Sequence, residues 1–175
     1  TFDALDAYAG FEDGRMFYGS GKKKAEEYDP KTRGWYKQAK AEGKEGVTDA
    51  YIGATAKVLM VTVMAPIMKN NTIIGVFGID LPLETLTKAV GDVNFNGGYG
   101  MLLDTKKMIL AHPKKELLGT EFTLSKEFKE NKEGFIEYSF NGEKKIFAYK
   151  ISEQTGWTPG ITFDKETAYA FLNAQ

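Results

Sequence analysis

Apolar and polar positions alternate along this chain in two similar rounds. In the first, Tyr8 to Phe11 and Arg15 to Tyr18 flank Glu12-Asp13-Gly14, and an Asp-Gly pair between alternating runs predicts a hairpin. A polar loop with three lysines follows over 19–27. Asp29-Pro30 then reads as a helix start, Asp at the cap and Pro in the first turn, with the helix running to Glu42 and stopping at Gly43. Two long apolar runs, Thr55 to Met68 and Thr72 to Asp80, meet at Asn70-Asn71 and predict a second hairpin. Pro82 restarts a helix that carries Leu83, Leu86 and Val90 at helical spacing.

The second round repeats the plan. Tyr99 to Leu103 and Met108 to Ala111 flank a polar turn at Asp104 to Lys106, and a polar, partly helical stretch runs from Pro113 to Lys132. Phe135 to Phe140 and Lys145 to Ile151 flank Asn141-Gly142, the strongest hairpin signal in the chain. Ile136, Tyr138 and Phe140 alternate with Glu137 and Ser139, so one face of that strand is apolar. Trp157 to Phe163 predicts a last strand, and Asp164 caps a final helix. The two rounds read as duplicated modules, 1–91 and 92–175, joined in the glycine- and asparagine-rich stretch from Gly91 to Gly98. The predicted fold class is α+β: two small antiparallel sheets, each flanked by helices.

Composition narrows the function. The 175 residues carry 23 basic and 24 acidic side chains, a net charge of −1, which argues against nucleic acid or a polybasic membrane clamp as the partner. There is no cysteine and one histidine, His112, so thiolate and histidine metal cages are excluded and neither metal nor cofactor is expected. His112-Pro113 reads as a turn or strand-edge histidine. No apolar run reaches membrane-spanning length. The chain begins at Thr1 and ends inside a helical pattern, and it reads as an excised piece of a longer protein.

Enzyme signatures are missing: there is no G-x-S-x-G elbow, no H-E-x-x-H and no complete phosphate loop. Gly19-Ser20-Gly21-Lys22 imitates part of such a loop, but the earlier glycine is absent, and it reads as a mobile surface loop. The first round instead gathers the groups that hold a zwitterion. Arg forks onto a carboxylate, an indole N–H donates, and carboxylate or phenol oxygens accept from an ammonium. Asp80 ends the run Ile73 to Ile79, a strand apolar on both faces, where a carboxylate needs a donating partner. Helix capping is the alternative role, but with Pro82 at the first helical position the cap falls on Leu81, so ligand contact leads. Arg33 and Trp35 both lie in the helix predicted from Asp29, and residues two apart share no face. On these residues alone Arg33 reads as a surface ion pair and Trp35 as core, although Gly34 between them suggests that the helix is distorted or starts later. Tyr28 and Tyr51 read as half-buried structural tyrosines, and Tyr36 as packing.

Taken together, Tyr28, Arg33, Trp35, Tyr51 and Asp80 resemble, in type and spacing, the amino-acid-recognition motif of double Cache (dCache) sensor domains. Asp29-Pro30-Lys31-Thr32-Arg33-Gly34-Trp35-Tyr36 and the strand Gly75 to Asp80 are similar to further family segments, as are His112-Pro113 and Thr155-Gly156-Trp157 in the second round. The resemblance implies two PAS-like modules. It implies that Arg33 and Trp35, assisted by Tyr28, bind a ligand carboxylate and that Tyr51 and Asp80 bind its ammonium. The first module would be membrane-distal and hold the amino acid; the second would be membrane-proximal, usually empty, and pass the change on. The parent would be a membrane-anchored, homodimeric chemoreceptor with this part in the periplasm. The alternative is the sensor of a histidine kinase or other transducer that takes a carboxylic acid or another non-amino-acid. Two features depart from the family. Its long N-terminal helix is missing from the chain, and Ile52-Gly53-Ala54 stands where some relatives carry an extra Asp, which puts more weight on Asp80; the spacing leaves Asp49 unplaced.

Overall fold

Two-residue turns set the register of both long hairpins. Asn70 and Asn71 have φ of 49° and 60°, and Asn141 and Gly142 have φ of 52° and 82°. Left-handed pairs of this kind match the twist of antiparallel strands and close Lys69 onto Thr72 and Phe140 onto Glu143. The computed structural model describes residues 3–91, 93–95, 97–124, 128 and 132–173. They divide into two units, residues 1–85 and 86–175.

The first unit has strands β1 (Asp6–Phe11), β2 (Met16–Tyr18), β3 (Gly46–Val47), β4 (Tyr51–Ile52), β5 (Leu59–Lys69) and β6 (Thr72–Pro82), with helix α1 (Gly34–Glu42). The sheet is antiparallel in the order β2-β1-β6-β5-β3, and β4 also pairs with β5. The sequence-adjacent hairpin β5–β6 therefore lies at its centre, and β1 closes onto the other side of β6. Helix α1 covers β5 and β6 and buries Trp35, Tyr36 and Ala39 against Tyr8, Met64 and Val76.

The second unit has β7 (Asn94–Phe95), β8 (Gly98–Leu103), β9 (Ile109–Ala111), β10 (Glu133–Phe140), β11 (Glu143–Lys150) and β12 (Thr158–Asp164). Helix α2 (Leu83–Gly91) starts in the first unit and ends in the second, and α3 (Lys165–Asn173) follows β12. The order is β10-β11-β12-β8-β7, with β9 on β8. Its core is aromatic, with Phe122 and Phe147 packed among Met101, Leu103, Ile109, Ile136 and Tyr149. Ile136 is buried and its neighbour Phe135 is 79% exposed, as the alternation predicts. No helix among the described residues is long and apolar enough to cross a membrane.

Several boundaries differ from the sequence expectation. The helix predicted from Asp29 is broken. Asp29 accepts from the Lys31 N–H and caps only a 3-10 turn, Pro30–Thr32, and the Thr32 hydroxyl bonds back to the Asp29 carbonyl. A side chain competing for the backbone in this way favours a turn over a continued helix. Arg33 is then extended, with φ −83° and ψ 147°, and α1 starts at Gly34. The strand expected from Thr55 starts at Leu59, because 53–58 closes a turn through Lys57 N–H to Gly53 O and Gly53 N–H to Val58 O. β6 runs through Pro82 before α2 starts at Leu83. The stretch from Pro113 contains one 3-10 turn, Lys115–Leu117, and its remainder lies partly outside the described residues, as does the join at 91–98. The loop after β2 is tied down: Ser20 Oγ and Lys22 Nζ bond Asp6 Oδ2 at 2.7 and 2.9 Å.

Gly78 lies opposite Tyr8, and a Cβ there would stand 2.6 Å from the Tyr8 ring. Gly78→Ala is expected to destabilise the protein by about 1–3 kcal/mol, the usual cost of overpacking, read as a lower midpoint in chemical denaturation.

Candidate ligand-binding site

A carboxylate at the centre of a sheet forces the structure around it to supply donors. Asp80, near the end of β6, faces Thr62 on β5 and Asp6 on β1 across the ladders. Tyr8 Oη donates to Asp80 Oδ1 at 2.5 Å, and Thr62 Oγ1 donates to the same oxygen at 2.8 Å. Tyr51 Oη lies 2.5 Å from Thr62 Oγ1. Thr62 has a single proton, and that proton serves the carboxylate. Tyr51 is therefore the donor in its pair with Thr62, and its own lone pairs stay free to accept. Among the described residues nothing donates to Asp80 Oδ2.

The titration of these groups follows from burial. It lifts the Asp80 carboxyl above its ordinary value, against the hydrogen bonds from Tyr8 and Thr62. It pushes the Tyr51 phenol up to about 12, and Tyr8 is also raised, by burial and then by the adjacent carboxylate. All the phenols of the network are neutral donors at neutral pH.

The donor side of the site comes from the segment before α1. Because Arg33 is extended, it leaves the helix surface, and its guanidinium lies over the Tyr28 ring, 4.3 Å from the centroid. The expected surface ion pair is absent among the described residues: Arg33 Nε is buried without a hydrogen-bond partner. A buried unpaired guanidinium N–H is costly unless something arrives to accept from it. Trp35 is both core and site. It is 4% exposed, stands edge-on to Tyr8 at 5.0 Å, and hydrogen-bonds to the Tyr28 phenol, whose pKa is raised by burial against that bond.

All five residues singled out in the sequence, Tyr28, Arg33, Trp35, Tyr51 and Asp80, line one cavity of about 440 Å³. Tyr8 lines it too and was missed, as was Thr62 behind Asp80; both reach Asp80 through strand pairings 18 and 72 residues apart in the chain. The alternation in β1 marks Tyr8 as one face of a strand, but only the β1–β6 register brings it to Asp80. Asp49 is not in the lining. The second acid there is Asp6, whose carboxyl is raised by burial but held below its ordinary value overall by bonds from Lys22 and Ser20. Lys22, the ion-pair partner of Asp6, also lines the cavity, and the rest of the wall, including Leu5, Met16, Met60 and the turn from Ile52 to Ala56, is uncharged. Among the described residues no cluster of metal-ligating side chains occurs. In the second unit His112 is 4% exposed, and Nδ1 accepts from the Lys114 N–H at 2.9 Å, which fits the turn role.

Comparison with known proteins gives a consistent picture. A family model described as Cache domain matches residues 3–172. The methyl-accepting chemotaxis protein PscA of Pseudomonas syringae pv. tomato is 28% identical over 172 residues, 95% of this chain and 27% of that protein. The methyl-accepting chemotaxis protein PctB of Pseudomonas aeruginosa is 32% identical over 154 residues, 83% of this chain and 24% of that protein. The chain thus spans about a quarter of the length of these curated relatives. Among solved structures, the ligand-binding domain of the Pseudomonas aeruginosa PAO1 amino-acid chemoreceptor PctB in complex with L-Arg superimposes with a TM-score of 0.80 at 29% identity, over 96% of this chain and 74% of that one.

Tyr8→Phe removes one of the two donors to a part-buried carboxylate. The expected loss is about 1.5–3 kcal/mol, measured by denaturation at neutral pH, and it shrinks at acid pH where Asp80 is protonated.

Proposed function

Because the chain belongs to the Cache domain family, we propose that its first unit is the amino-acid-binding part of an extracytoplasmic chemoreceptor sensor. The observation that carries the reading is the polarity of one cavity. It has an unpaired buried guanidinium N–H at Arg33 and an open carboxylate oxygen at Asp80. An α-amino acid presents the two complementary charges on one carbon. Arg33 and the Trp35 side of the cavity take its carboxylate, with Tyr28 placed by both. Asp80 Oδ2 and the Tyr51 oxygen take its ammonium. Asp6 and Lys22 satisfy each other at 2.9 Å, and the remaining wall is uncharged, so side chains without charge are favoured. The reading is one of binding without turnover.

The parent protein, on this proposal, is a membrane-anchored homodimeric receptor of the methyl-accepting chemotaxis type, with this part in the periplasm. The first unit is its membrane-distal ligand module, and the second, membrane-proximal, carries the change onward. The ligand shifts the receptor only if it binds one conformation better than another.

Two outcomes test the site. Arg33→Ala and Asp80→Ala are each expected to weaken an amino acid's binding at least about tenfold, since a hydrogen bond to a charged group contributes about 1.5–3 kcal/mol; titration calorimetry reads this directly. Equal binding of the analogue that lacks the ammonium would instead indicate a carboxylic-acid sensor.

The pH dependence has a definite sign. A carboxyl raised by burial favours the folded, ligand-free protein at acid pH, and that contribution is lost as pH rises through its folded-state value above 3.8. An ammonium ligand needs the ionised form. Affinity is therefore full well above that value and declines as pH falls through it. In that range binding releases a proton, visible as a buffer-dependent calorimetric enthalpy.

A further inference from the structure

The cavity around Asp80 has an ion pair in its wall besides the two poles already described. Asp6 lies beside Asp80 across the β1–β6 ladder, and its side chain is only 6% exposed. Its Oδ1 accepts from the Ala7 and Ser20 N–H groups at 2.9 and 3.2 Å, and its Oδ2 from Ser20 Oγ at 2.7 Å and Lys22 Nζ at 2.9 Å. Two bonds on each oxygen fill the carboxylate. Asp6 is therefore closed to a ligand, and it anchors the loop after β2. The Gly19 N–H bonds the Ala7 carbonyl at 2.7 Å, and the Gly21 N–H closes a turn onto the Tyr18 carbonyl at 3.0 Å, with Gly21 at φ 75°. The backbone that carries Lys22 is thus fixed against β1 and β2.

Lys22 is left open where Asp6 is not. Its ammonium has three N–H groups, and the pair with Asp6 uses one of them. The ammonium stands over the Tyr18 ring, 4.4 Å from the centroid, and the side chain is half-exposed at the rim of the cavity it lines. Burial raises the Asp80 carboxyl and the Tyr28 phenol, and the Lys22 charge works against both shifts. That charge therefore reaches both poles of the site, since Tyr28 lies under the Arg33 guanidinium. Of the two cations among the described lining residues, Arg33 belongs to the carboxylate pole and Lys22 is the other. The ion pair leaves the Lys22 end of the wall without net charge. A neutral oxygen acceptor can take a Lys22 N–H there, whereas a second carboxylate would come up against Asp6. An aliphatic side chain would cover the N–H groups without accepting from them.

We propose that Lys22 is a specificity-determining residue that donates to the side-chain carbonyl of the bound amino acid, so that the preferred ligands are amino acids with a side-chain amide. The assignment rests on the amino-acid reading of this cavity. The rim position leaves the amide nitrogen in contact with water, and the pinned loop presents the ammonium already in place.

Asparagine, aspartate and leucine share one branched shape and are the probes, with glutamine and glutamate as the longer amide and acid. Titration calorimetry on the whole chain at neutral pH reads each affinity. The better-bound amide is expected to bind at least about fivefold more tightly than leucine and than its own acid. In Lys22→Met, shown folded by its melting curve, the amide-to-leucine ratio is expected to fall at least about fivefold. The ratio cancels any change common to all amino acids, including the effect of uncovering Asp6. Leucine binding as tightly as both amides would overturn the proposal. So would an acid bound more tightly than its amide, or an unchanged ratio in Lys22→Met. If leucine binding in those cases is still lost in Arg33→Ala and Asp80→Ala, the Lys22 assignment fails alone; no binding of any of the five probes to folded protein overturns it together with the amino-acid reading.

Discussion

The first unit is organised around a carboxylate held in the middle of a sheet. Asp80 sits on β6, the strand paired on both sides, so its donors have to come from the flanking strands. Tyr8 arrives from β1 and Thr62 from β5, and Tyr51 on β4 orients the Thr62 hydroxyl. Each bond fixes a register as well as a proton. A one-residue slip of β1 would turn Tyr8 to the other face and leave the carboxylate short of a donor. Gly78 is the complementary constraint, because the Tyr8 ring occupies the space a side chain there would need.

The same geometry explains why the site is polarised. Both structural donors bond Oδ1, so the charge is stabilised enough to remain in the sheet while Oδ2 stays open to the cavity. At the other pole the break at Arg33 detaches the guanidinium from the helix that follows. The ring of Tyr28 supports its face while one N–H remains unmatched. Fixed, partly unsatisfied groups of opposite charge lower the reorganisation needed when a ligand arrives.

The second unit gives an internal comparison. The second sheet follows a similar path and repeats the Gly-Ile and Glu-Thr pairs at the end of its central strand, but the acid position is Thr162. Once the charge is gone, the residues that served it change as well: Met101 and Phe147 stand where Tyr8 and Thr62 do in the first unit. The cavity beside the position, about 80 Å³ against about 440 Å³, is lined by aromatic and hydroxyl side chains and by Glu121.

Local chemistry was legible in the sequence. The left-handed Asn-Asn and Asn-Gly turns, the alternation in β10, the two antiparallel rounds and the need for a partner at Asp80 all depend on residues near one another in the chain. So does the spacing from Tyr28 to Asp80, which carries the family resemblance. Tertiary structure decided what non-local pairing controls. Tyr8 joins Asp80 across 72 residues, and Thr62 spends its proton there. Arg33 leaves a helix that the Asp29-Pro30 signal had extended through it, because the Thr32 hydroxyl closes the turn early. Side-chain periodicity states which face a residue takes; only the sheet register, set by strands meeting from distant parts of the chain, states which partner it finds.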